Sequence, residues 1–390
     1  MRRLKEAIKN IWKYFLYILD SIFIFFIRTP VSSISEDRRK KILLIRVDGI
    51  GDSVLWLDSL NGLFKAYPVD IHQYTLVCNK SSYPVFQSIK QFYKIITLNK
   101  HEFYVRIPYR FRTLKTICST KYDIVIQPTY SREFSVGDSI VRLADSSVKI
   151  GSSGDRSNIT AIQKKISDYW YTKLIPASDN ILMELERNAE FIQGLGYKDF
   201  IPSIPVLPKH TPKVELPGSP YFIVFPGSIT VRKMWPADRF SEIAHRVYQR
   251  TGWLTVICGS KSELNICEQI YLSLSDIPVL NLAGKTSIED LWEVIRGAQL
   301  LISNDTGSIH ISAAVSTPSV CILGGGHLGR FLPYSIGGRD IKNAPVCVTH
   351  NMDCFYCSWR CIHHMKRYDP FPCIQKISLD EVWERVSDLL

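Results

Sequence analysis

Short apolar runs rich in β-branched residues recur from Lys41 onward, and longer amphipathic stretches separate them. This alternation is typical of βα units, in which helices connect the parallel strands of a sheet. The pattern therefore predicts an α/β fold. In the first half of the chain, the predicted strands are Lys41–Val47, Ile71–Val77, Lys94–Leu98, Tyr122–Gln127 and Val148–Gly151, and a helix is predicted over Ser53–Ala66.

A proline-rich stretch interrupts this pattern in the middle of the chain. Residues 201–220 contain six prolines, which are incompatible with a helix or a central strand. We interpret the stretch as a linker, and the length of 390 residues allows about two to three domains. The predicted organisation is a basic segment 1–40, a first α/β domain 41–200, the linker 201–220, a second α/β domain 221–345 and a Cys-rich segment 346–390 with a final helix.

The second predicted domain repeats the alternation of strands and helices. Its helices are expected to begin near Pro236, Lys261, Ser287 and Thr306. Its predicted strands are Tyr221–Phe225, Trp253–Cys258, Val279–Leu282, Leu300–Ser303 and Ser319–Leu323. Ligands of such domains bind at the carboxyl ends of the strands, so we expect a large cleft between two domains of this kind.

The positive charge of the chain is concentrated at its start. The net charge is +11, and residues 1–41 contribute +6 of it with ten Lys/Arg and four acidic residues. A nucleic-acid-binding protein would more often spread basic residues over a folded face and place aromatic residues between them. No such pattern follows residue 41, so we expect no nucleic-acid partner.

An apolar run lies within this basic segment. Tyr14–Ile27 is apolar or aromatic except for Asp20 and Ser21. Its fourteen residues fall short of the roughly 20 that a transmembrane helix needs, and Asp20 lies in its middle. The pattern favours an amphipathic helix in the headgroup plane of an anionic membrane leaflet. A single tilted span and a helix packed on the protein's own core are the alternatives.

The segment Ile45–Leu55 predicts a strand, a glycine turn and the start of a helix. Gly49 and Gly51 allow the backbone to approach a ligand, and the Asp52 carboxylate can cap the first helical turn. A cap and turn without chemistry would explain the same residues. Val54 occupies the third-glycine position of a dinucleotide fingerprint, which disfavours a dehydrogenase.

The segment Val224–Phe240 predicts an anion site. A strand runs into Pro226-Gly227-Ser228, and the basic pair Arg232-Lys233 precedes a helix with Pro236 at its first position. Backbone amides, a helix start and Lys233 would together suit a phosphate or diphosphate. An exposed basic loop is the alternative.

The segment Leu300–Ala314 follows the same plan. A buried strand ends at Asn304-Asp305, Thr306-Gly307 opens a helix, and His310 lies in the first turn of that helix. The helix amides, a hydroxyl and an imidazole again suit an anionic ligand. A capped helix with a satisfied histidine is the alternative.

Taken together, these segments resemble glycosyltransferase family 9, the family of the ADP-heptose:lipopolysaccharide heptosyltransferases. The resemblance runs from about Lys41 to the C-terminus, and residues 1–40 lie outside it. The motifs that carry it are IR-x4-GD-x2-L, Pro-Gly-Ser, Lys-x-Trp-Pro, NLAGKTSIEDL (Asn281–Leu291) and DTGSIHISAA. It implies the GT-B fold, in which two Rossmann-like domains face a cleft, with the acceptor domain at 41–200 and the donor domain at 221–345. It also implies inversion at the anomeric carbon.

The resemblance assigns roles to individual residues. Asp52 matches the candidate catalytic base, and Lys233 matches the lysine near the donor's diphosphate. The predicted catalytic residues are therefore Asp52 and Lys233, and the predicted donor-binding residues are Gly51, Ser228, Lys261, Glu263, Gly284, Asp305, Thr306, Gly307, His310, His327 and Arg330. No D-x-D motif occurs in the chain, which disfavours a metal-bridged diphosphate, so we expect no required cofactor.

The chain departs from the family pattern near the donor's sugar and phosphates. Many family members have a Gly-Pro-Thr-like turn where this chain has GGGHLGRFLPY (Gly324–Tyr334), which adds His327 and Arg330. Lys261 or Glu263 could replace the acidic residue that usually follows the strand-end glycine. The resemblance therefore implies a nucleotide-sugar donor but leaves the sugar and the nucleotide open.

From these residues and the resemblance we predict a metal-independent, inverting glycosyltransferase. It would move heptose or a related sugar from a nucleoside-diphosphate donor to a lipopolysaccharide or other lipid-linked glycan. We expect it on the cytoplasmic face of the inner membrane as a peripheral or monotopic protein. The alternative is a non-catalytic protein of the same fold that binds nucleotide sugars or polysaccharides.

Five of the ten cysteines lie in the last 44 residues. Cys354, Cys357, Cys361 and Cys373 have the spacing of a four-thiolate site for structural zinc or an iron–sulfur cluster. Spare ligands would be His350, His363 and His364. Free cytosolic thiols and disulfides remain the alternatives.

Overall fold

The structure of the protein, a computed structural model, describes residues 2–27, 38–341, 343–366 and 368–390. It has an α/β fold with two six-stranded parallel sheets, as the alternating sequence pattern predicts. The chain divides into two compact units, and each contains one of these sheets. Unit 1 comprises residues 1–53, 59–179 and 187–201, and unit 2 comprises 54–58, 180–186 and 202–390.

The elements before the linker build the first sheet. The strands are β1 Lys40–Arg46, β2 His72–Asn79, β3 Phe92–Leu98, β4 Ile124–Gln127, β5 Val148–Ser152 and β6 Lys173–Ile175. The helices are α1 Arg2–Ile27, α2 Ile50–Ala66, α3 Tyr83–Phe86, α4 Lys100–Val105, α5 Ile107–Cys118, α6 Gly137–Leu143, α7 Ala161–Asp168 and α8 Glu184–Leu195. The strand order β3-β2-β1-β4-β5-β6 reverses direction between β1 and β4. Ligands of open parallel sheets bind beyond the carboxyl ends of the strands at such a reversal.

The elements after the linker build the second sheet. The strands are β7 Tyr221–Phe225, β8 Leu254–Ile257, β9 Val279–Asn281, β10 Leu300–Asn304, β11 Ser319–Ile322, β12 Ser335–Ile336, β13 Arg339–Asp340 and β14 Val346–Val348. The helices are α9 Ala237–Thr251, α10 Leu264–Ser273, α11 Ile288–Arg296, α12 Gly307–Ala314, α13 Pro372–Gln375 and α14 Leu379–Ser387. The order β14-β11-β10-β7-β8-β9 reverses between β10 and β7, and β12 and β13 form a separate antiparallel pair.

All ten strands predicted from the sequence are present, and residues 201–220 form neither helix nor strand. Two local expectations are wrong. Pro236 is the N-cap of α9 and not its first residue, and the N-cap of α2 is Gly49, not Asp52. Asp52 lies one turn into α2, where a carboxylate still interacts favourably with the helix dipole.

Residues 2–27 of the N-terminal basic segment form one helix, α1, and one of its faces packs on the rest of unit 1. Arg110 of α5 donates from Nε to Asp20 Oδ1 (2.8 Å) and from Nη2 to Asp20 Oδ2 (2.5 Å). Both side chains are 1% exposed. Tyr17 stacks on Trp170 with ring centroids 5.8 Å apart. The apolar run Tyr14–Ile27 is thus helical, but the acid within it, Asp20, is a buried ion-pair partner, which the alternative of a helix packed on the protein's own core anticipates.

The other face of α1 carries a ridge of large apolar side chains, which are between 43% and 67% exposed. The members of this ridge are Ile8, Ile11, Phe15, Ile18, Ile22 and Phe26. They recur every three or four residues, which places them along one side of a helix. Across the described part of the chain, no helix combines the length and apolar character that crossing a bilayer requires.

Candidate functional site

The first polar edge lies at the carboxyl end of β1 in unit 1. Arg46, the last residue of β1, is buried; it pairs with Asp48 (Nε to Oδ2, 3.1 Å) and donates from Nη2 to the Asp52 carbonyl (3.2 Å). A β-carbon on Gly49 would lie 3.5 Å from Asp52 Oδ2, so the Asp52 carboxylate lies close beside the glycine turn. Arg46 therefore ties the turn and the start of α2 to the end of the strand.

Neighbouring strand ends extend this edge. Thr129, which follows β4, donates to Asp48 Oδ2 (3.0 Å). Lys100, at the start of α4 beyond β3, forms an ion pair with Glu133. Burial by itself would lower the pKa of Lys100, but the carboxylates of Glu133, Asp48 and Asp52 outweigh it and raise the pKa. The candidate base Asp52 is thus within electrostatic reach of a lysine that stays protonated at neutral pH.

Sequence reasoning missed Lys100. The available signal was its position, because it follows a predicted strand and lies directly after Asn99, which caps α4 by accepting from the Glu102 amide.

The predicted donor-binding Gly51 lies in the first turn of α2 beside Asp52 and belongs to unit 1. All other predicted donor-binding residues belong to unit 2.

The second polar edge lies where β7 and β10 are neighbours in unit 2. Asn304, the buried last residue of β10, donates from Nδ2 to the Pro226 carbonyl (2.7 Å). Its Oδ1 accepts from the Trp235 amide (3.0 Å). One amide side chain therefore joins the turn after β7 to the segment that follows Lys233. Sequence reasoning recognised Asn304 only as the end of a strand.

Lys233 and Asp305 interact at this edge. Burial lowers the pKa of Lys233 and the Asp305 carboxylate opposes that effect. Conversely, burial raises the pKa of Asp305 and Lys233 opposes it. The Lys233 ammonium also lies 3.9 Å from the ring centroid of Trp359. Lys233 and Asp305 thus influence each other's charge within a partly buried site.

The start of α12 lies in the same loop as Asp305. Thr306 is the N-cap with extended backbone (φ −145°), and no side chain accepts from the first amides of the helix. The hydroxyls bond to one another instead: Ser303 to Ser308 (2.9 Å) and Thr306 to Ser308 (2.8 Å). The Ile309 amide donates to the Thr306 carbonyl, whereas the Thr306 side chain caps none of the first amides of the helix. Such amides suit an anion, and the anion site at the D-T-G motif stays a prediction.

His310 is buried and bonds to a neighbouring side chain, an arrangement that the alternative of a satisfied histidine describes. Its Nδ1 is 2.8 Å from the Tyr334 hydroxyl, and the two rings stack with centroids 5.9 Å apart. Burial lowers the pKa of His310 to about 4, so the ring is neutral at pH 7. When Tyr334 donates to Nδ1, the single ring proton is on Nε2 and can serve as a hydrogen-bond donor, not as a counter-ion.

Further predicted donor-binding residues surround the carboxyl ends of β7 to β9. Ser228 is buried in the turn after β7. At the adjacent Gly227, a β-carbon would lie 2.1 Å from Glu263 Cδ, so a side chain there would displace the Glu263 carboxylate. Glu263 accepts from the Ser260 amide (2.6 Å) and so caps a helical turn. Lys261 lies beside Gly284, whose φ is +70° and whose β-carbon would be 3.3 Å from Lys261 Cγ.

The loop after β11 holds His327 and Arg330. The Arg330 guanidinium lies 3.5 Å (Nε) from Glu184 Oε2, and the Arg330 carbonyl accepts from the Glu184 amide (2.6 Å). His327 packs edge-on to Trp359 with centroids 6.1 Å apart. Glu184 therefore balances part of the positive charge with which Arg330 was predicted to bind the donor. The donor-binding role of Arg330 stays a prediction.

The Cys-rich segment brings its spaced cysteines into one neighbourhood. Burial raises the pKa of Cys354, and the nearby Cys357 and Cys361 raise it further. Cys354 Sγ lies 3.5 Å from His363 Nε2, and all ten cysteines are free thiols. Within the described ranges, no three His, Cys, Asp or Glu side chains are arranged to hold a metal ion. The four-thiolate hypothesis stays a prediction that metal analysis of chelator-free protein would test.

Comparison with known proteins gives consistent likenesses. Residues 110–349 match the family model described as glycosyltransferase family 9 (heptosyltransferase). The lipopolysaccharide heptosyltransferase 3 of Escherichia coli K12 is 28% identical over 221 residues, which cover 54% of this chain and 61% of that protein. The alignment thus spans about three-fifths of that relative's own length.

Solved structures share the fold at low sequence identity. A glycosyltransferase family 9 structure from Veillonella parvula superposes with a TM-score of 0.69 at 19% identity, covering 92% of this chain and 99% of that chain. The Escherichia coli heptosyltransferase WaaC with ADP-2-deoxy-2-fluoro heptose superposes with a TM-score of 0.62 at 17% identity, covering 90% and 100%.

Proposed function

Because this chain belongs to glycosyltransferase family 9, we propose that it transfers heptose or a related sugar from a nucleoside-diphosphate donor to a hydroxyl of a lipopolysaccharide or other lipid-linked glycan. The name of the curated Escherichia coli relative supports the sugar and the acceptor class. The ligand of the solved Escherichia coli relative supports a nucleoside-diphosphate sugar as donor.

One observation carries the donor half of the proposal. Lys233, Asp305 and the start of α12 lie together at the β7/β10 edge, inside the region that matches the family. The departing diphosphate gains negative charge as the glycosidic bond breaks. An ammonium group and fixed helix amides in a poorly hydrated site stabilise that charge without reorganising. The proposed mechanism therefore requires no metal ion.

Asp52 is the base in the proposed mechanism. Its carboxylate takes the proton of the acceptor hydroxyl as the oxygen attacks the anomeric carbon. The bond from that carbon to the diphosphate oxygen breaks on the opposite face, so the configuration inverts. Lys100 and Arg46 hold positive charge beside the acidic groups of this edge and favour its compact arrangement.

The test replaces the base and measures binding separately from turnover. We expect Asp52→Ala to lower transfer from ADP-heptose to a lipopolysaccharide-type acceptor by at least about 100-fold, the usual effect of losing a general base. Its affinity for a nucleoside diphosphate, measured by titration calorimetry with ADP, GDP, UDP and CDP, should stay within about twofold. Asp70→Ala, which removes an exposed acid from the turn between α2 and β2, is the matched control.

Two outcomes would contradict this proposal. Near-normal turnover by Asp52→Ala would remove Asp52 from the role of base. Binding of nucleotide sugars by the wild-type protein, without transfer or slow donor hydrolysis, would instead support the non-catalytic binding protein of the same fold.

We also propose that the enzyme is a peripheral protein at the cytoplasmic face of the inner membrane. Support comes from the apolar ridge of α1, which stays exposed although the opposite face of the helix is buried. Arg2, Arg3, Lys5, Lys9 and Lys13 belong to the same helix. Its acids are Glu6 and the ion-paired Asp20. An exposed apolar ridge on a basic helix suits an anionic lipid surface.

A further inference from the structure

The Cys-rich segment packs directly on the glycine loop after β11. The amides of Tyr356 and Ser358 donate to the carbonyls of Gly325 (2.8 Å) and Gly326 (2.9 Å). A β-carbon on Gly325 would lie 1.9 Å from the Phe355 ring, and one on Gly326 would lie 2.4 Å from the Trp359 ring. Two aromatic rings thus occupy the space that side chains would need, which explains why this loop is built from glycine.

This packing fixes Trp359 under Lys233. The Trp359 ring lies against Gly326 on one side and Phe371 on another, with the Phe371 centroid 5.1 Å away. The Phe371 amide also donates to the Arg232 carbonyl (2.8 Å), next to Lys233 in the chain. The Lys233 ammonium lies 3.9 Å from the Trp359 centroid, within the range of a cation–π interaction. Trp359 belongs to the second unit and lies beyond the residues that match the family model.

We propose that Trp359 is a positioning residue of the donor site, whose ring holds the Lys233 ammonium where the donor's diphosphate binds. The inference rests on the proposed function, because only that function requires Lys233 to bind the donor's diphosphate. Lysine has a long flexible side chain, and fixing its end in advance lowers the entropy lost when the diphosphate binds. The ring face attracts the ammonium without neutralising it, so the charge stays available to the phosphates.

A purely structural role for Trp359 makes a different prediction. Phe and Leu both keep an apolar filler against the glycine loop, but only Phe keeps an aromatic face for the ammonium. Loss of packing would weaken every ligand of the site equally. Loss of the cation–π contact would weaken only the ligands that carry the diphosphate, and only while Lys233 is present.

The experiment measures nucleotide affinity by titration calorimetry on the full-length protein. The probes are the nucleoside diphosphate that binds wild type best among ADP, GDP, UDP and CDP, and the corresponding nucleoside. We expect Trp359→Leu to weaken the diphosphate by about fivefold to tenfold, Trp359→Phe by about twofold or less, and neither to change affinity for the nucleoside. In a Lys233→Met background, Trp359→Leu should have no further effect.

Trp383→Leu is the matched control. Trp383 also lies in unit 2 beneath a basic side chain, with the Arg246 guanidinium 5.9 Å from its ring, but on α14. The Trp383→Leu variant should bind the nucleoside diphosphate with the wild-type affinity. Thermal melting of each variant reports whether it is folded, and Trp359→Met, which also fills space without an aromatic face, replaces Trp359→Leu if that variant does not fold.

Three results would overturn the inference. They are unchanged diphosphate affinity in Trp359→Leu, equal weakening of diphosphate and nucleoside, and the same weakening with Lys233 replaced by Met. A wild-type protein that binds none of the four diphosphates would contradict the proposed function itself, which separates the two failures.

Discussion

Burial decides the chemistry of single residues at the unit 2 edge. Sequence motifs named Lys233, Asp305 and His310 as candidate donor-site residues, but motifs carry no information on solvation. In the folded unit, Lys233 and Asp305 oppose the effects of burial on each other, whereas His310 is shielded from water and bonded to Tyr334. Two residues of the expected site can therefore act as charges, and the third acts as a neutral hydrogen-bonding group.

The pKa of His310 predicts a loss of stability in mild acid. An unfolded histidine titrates near pH 6.5, whereas burial lowers the pKa of folded His310 to about 4. Between these values the unfolded state binds more protons. The free energy of unfolding therefore falls as the pH drops from about 6.5 to about 4, by up to about 3 kcal/mol.

Urea unfolding at several pH values between 4.5 and 7 measures this effect. His310→Gln keeps a polar side chain that does not titrate, so its unfolding midpoint should depend less on pH in this window than that of wild type. Equal slopes for wild type and His310→Gln would contradict the prediction.

At the scale of elements, a buried ion pair fixes α1 to the first unit. Arg110 binds both Asp20 oxygens, the Ser139 hydroxyl (2.6 Å) and the Ser135 carbonyl (2.7 Å). From sequence, Asp20 looked like an interruption of an apolar helix, because its partner lies 90 residues away in the chain. The hydrophobic pattern predicts the helix, but only the packing identifies which of its faces is buried.

Breaking this pair should destabilise the protein strongly. Asp20→Ala leaves the Arg110 guanidinium buried without its carboxylate, which costs about 3 kcal/mol or more of the free energy of unfolding. The double variant Asp20→Leu with Arg110→Met removes both charges and should lose much less. Urea unfolding followed by circular dichroism measures both.

Arg106→Ala is the comparison for this measurement, because it removes an exposed ion pair between Arg106, the residue that separates α4 from α5, and Glu102 of α4. Its cost should stay at or below about 0.5 kcal/mol. If Asp20→Ala costs no more than Arg106→Ala, the pair does not anchor α1.

For the whole molecule, the ridge of α1 predicts binding to anionic membranes. The triple variant Ile11→Ser, Phe15→Ser and Ile18→Ser removes apolar area from the exposed face and leaves the Asp20–Arg110 contact in place. We expect wild type to sediment with vesicles of phosphatidylglycerol and phosphatidylethanolamine but not with phosphatidylcholine alone. The triple variant should lose about four-fifths of that binding, because binding scales with buried apolar area.

The control for this experiment changes three apolar residues elsewhere that are 66% to 81% exposed, Ile162→Ser, Tyr169→Ser and Ile201→Ser. This design is better than deleting residues 1–37, since deletion would also leave Arg110 buried and unpaired. Wild-type sedimentation by the α1 triple variant would refute the membrane proposal. A change in its oligomeric state instead would identify the ridge as a contact between copies of the chain.

By itself, the sequence determined the elements of this protein and the family to which it belongs. Local periodicity predicts strands and helices, and short motifs at strand ends such as Asp305-Thr306-Gly307 identify the family. The boundaries of the domains, the cleft between them and the roles of the site residues stay predictions.

Only the tertiary structure decided which side chains meet. The strand order places β7 beside β10, so Asn304 reaches the Pro226 turn, and it gives Lys233 both Asp305 and Trp359 as neighbours. Sequence reasoning missed Lys100 and Trp359, because their partners Glu133 and Lys233 lie far away in the chain. Sheet order, burial and side-chain packing are long-range properties, and no local pattern of residues encodes them.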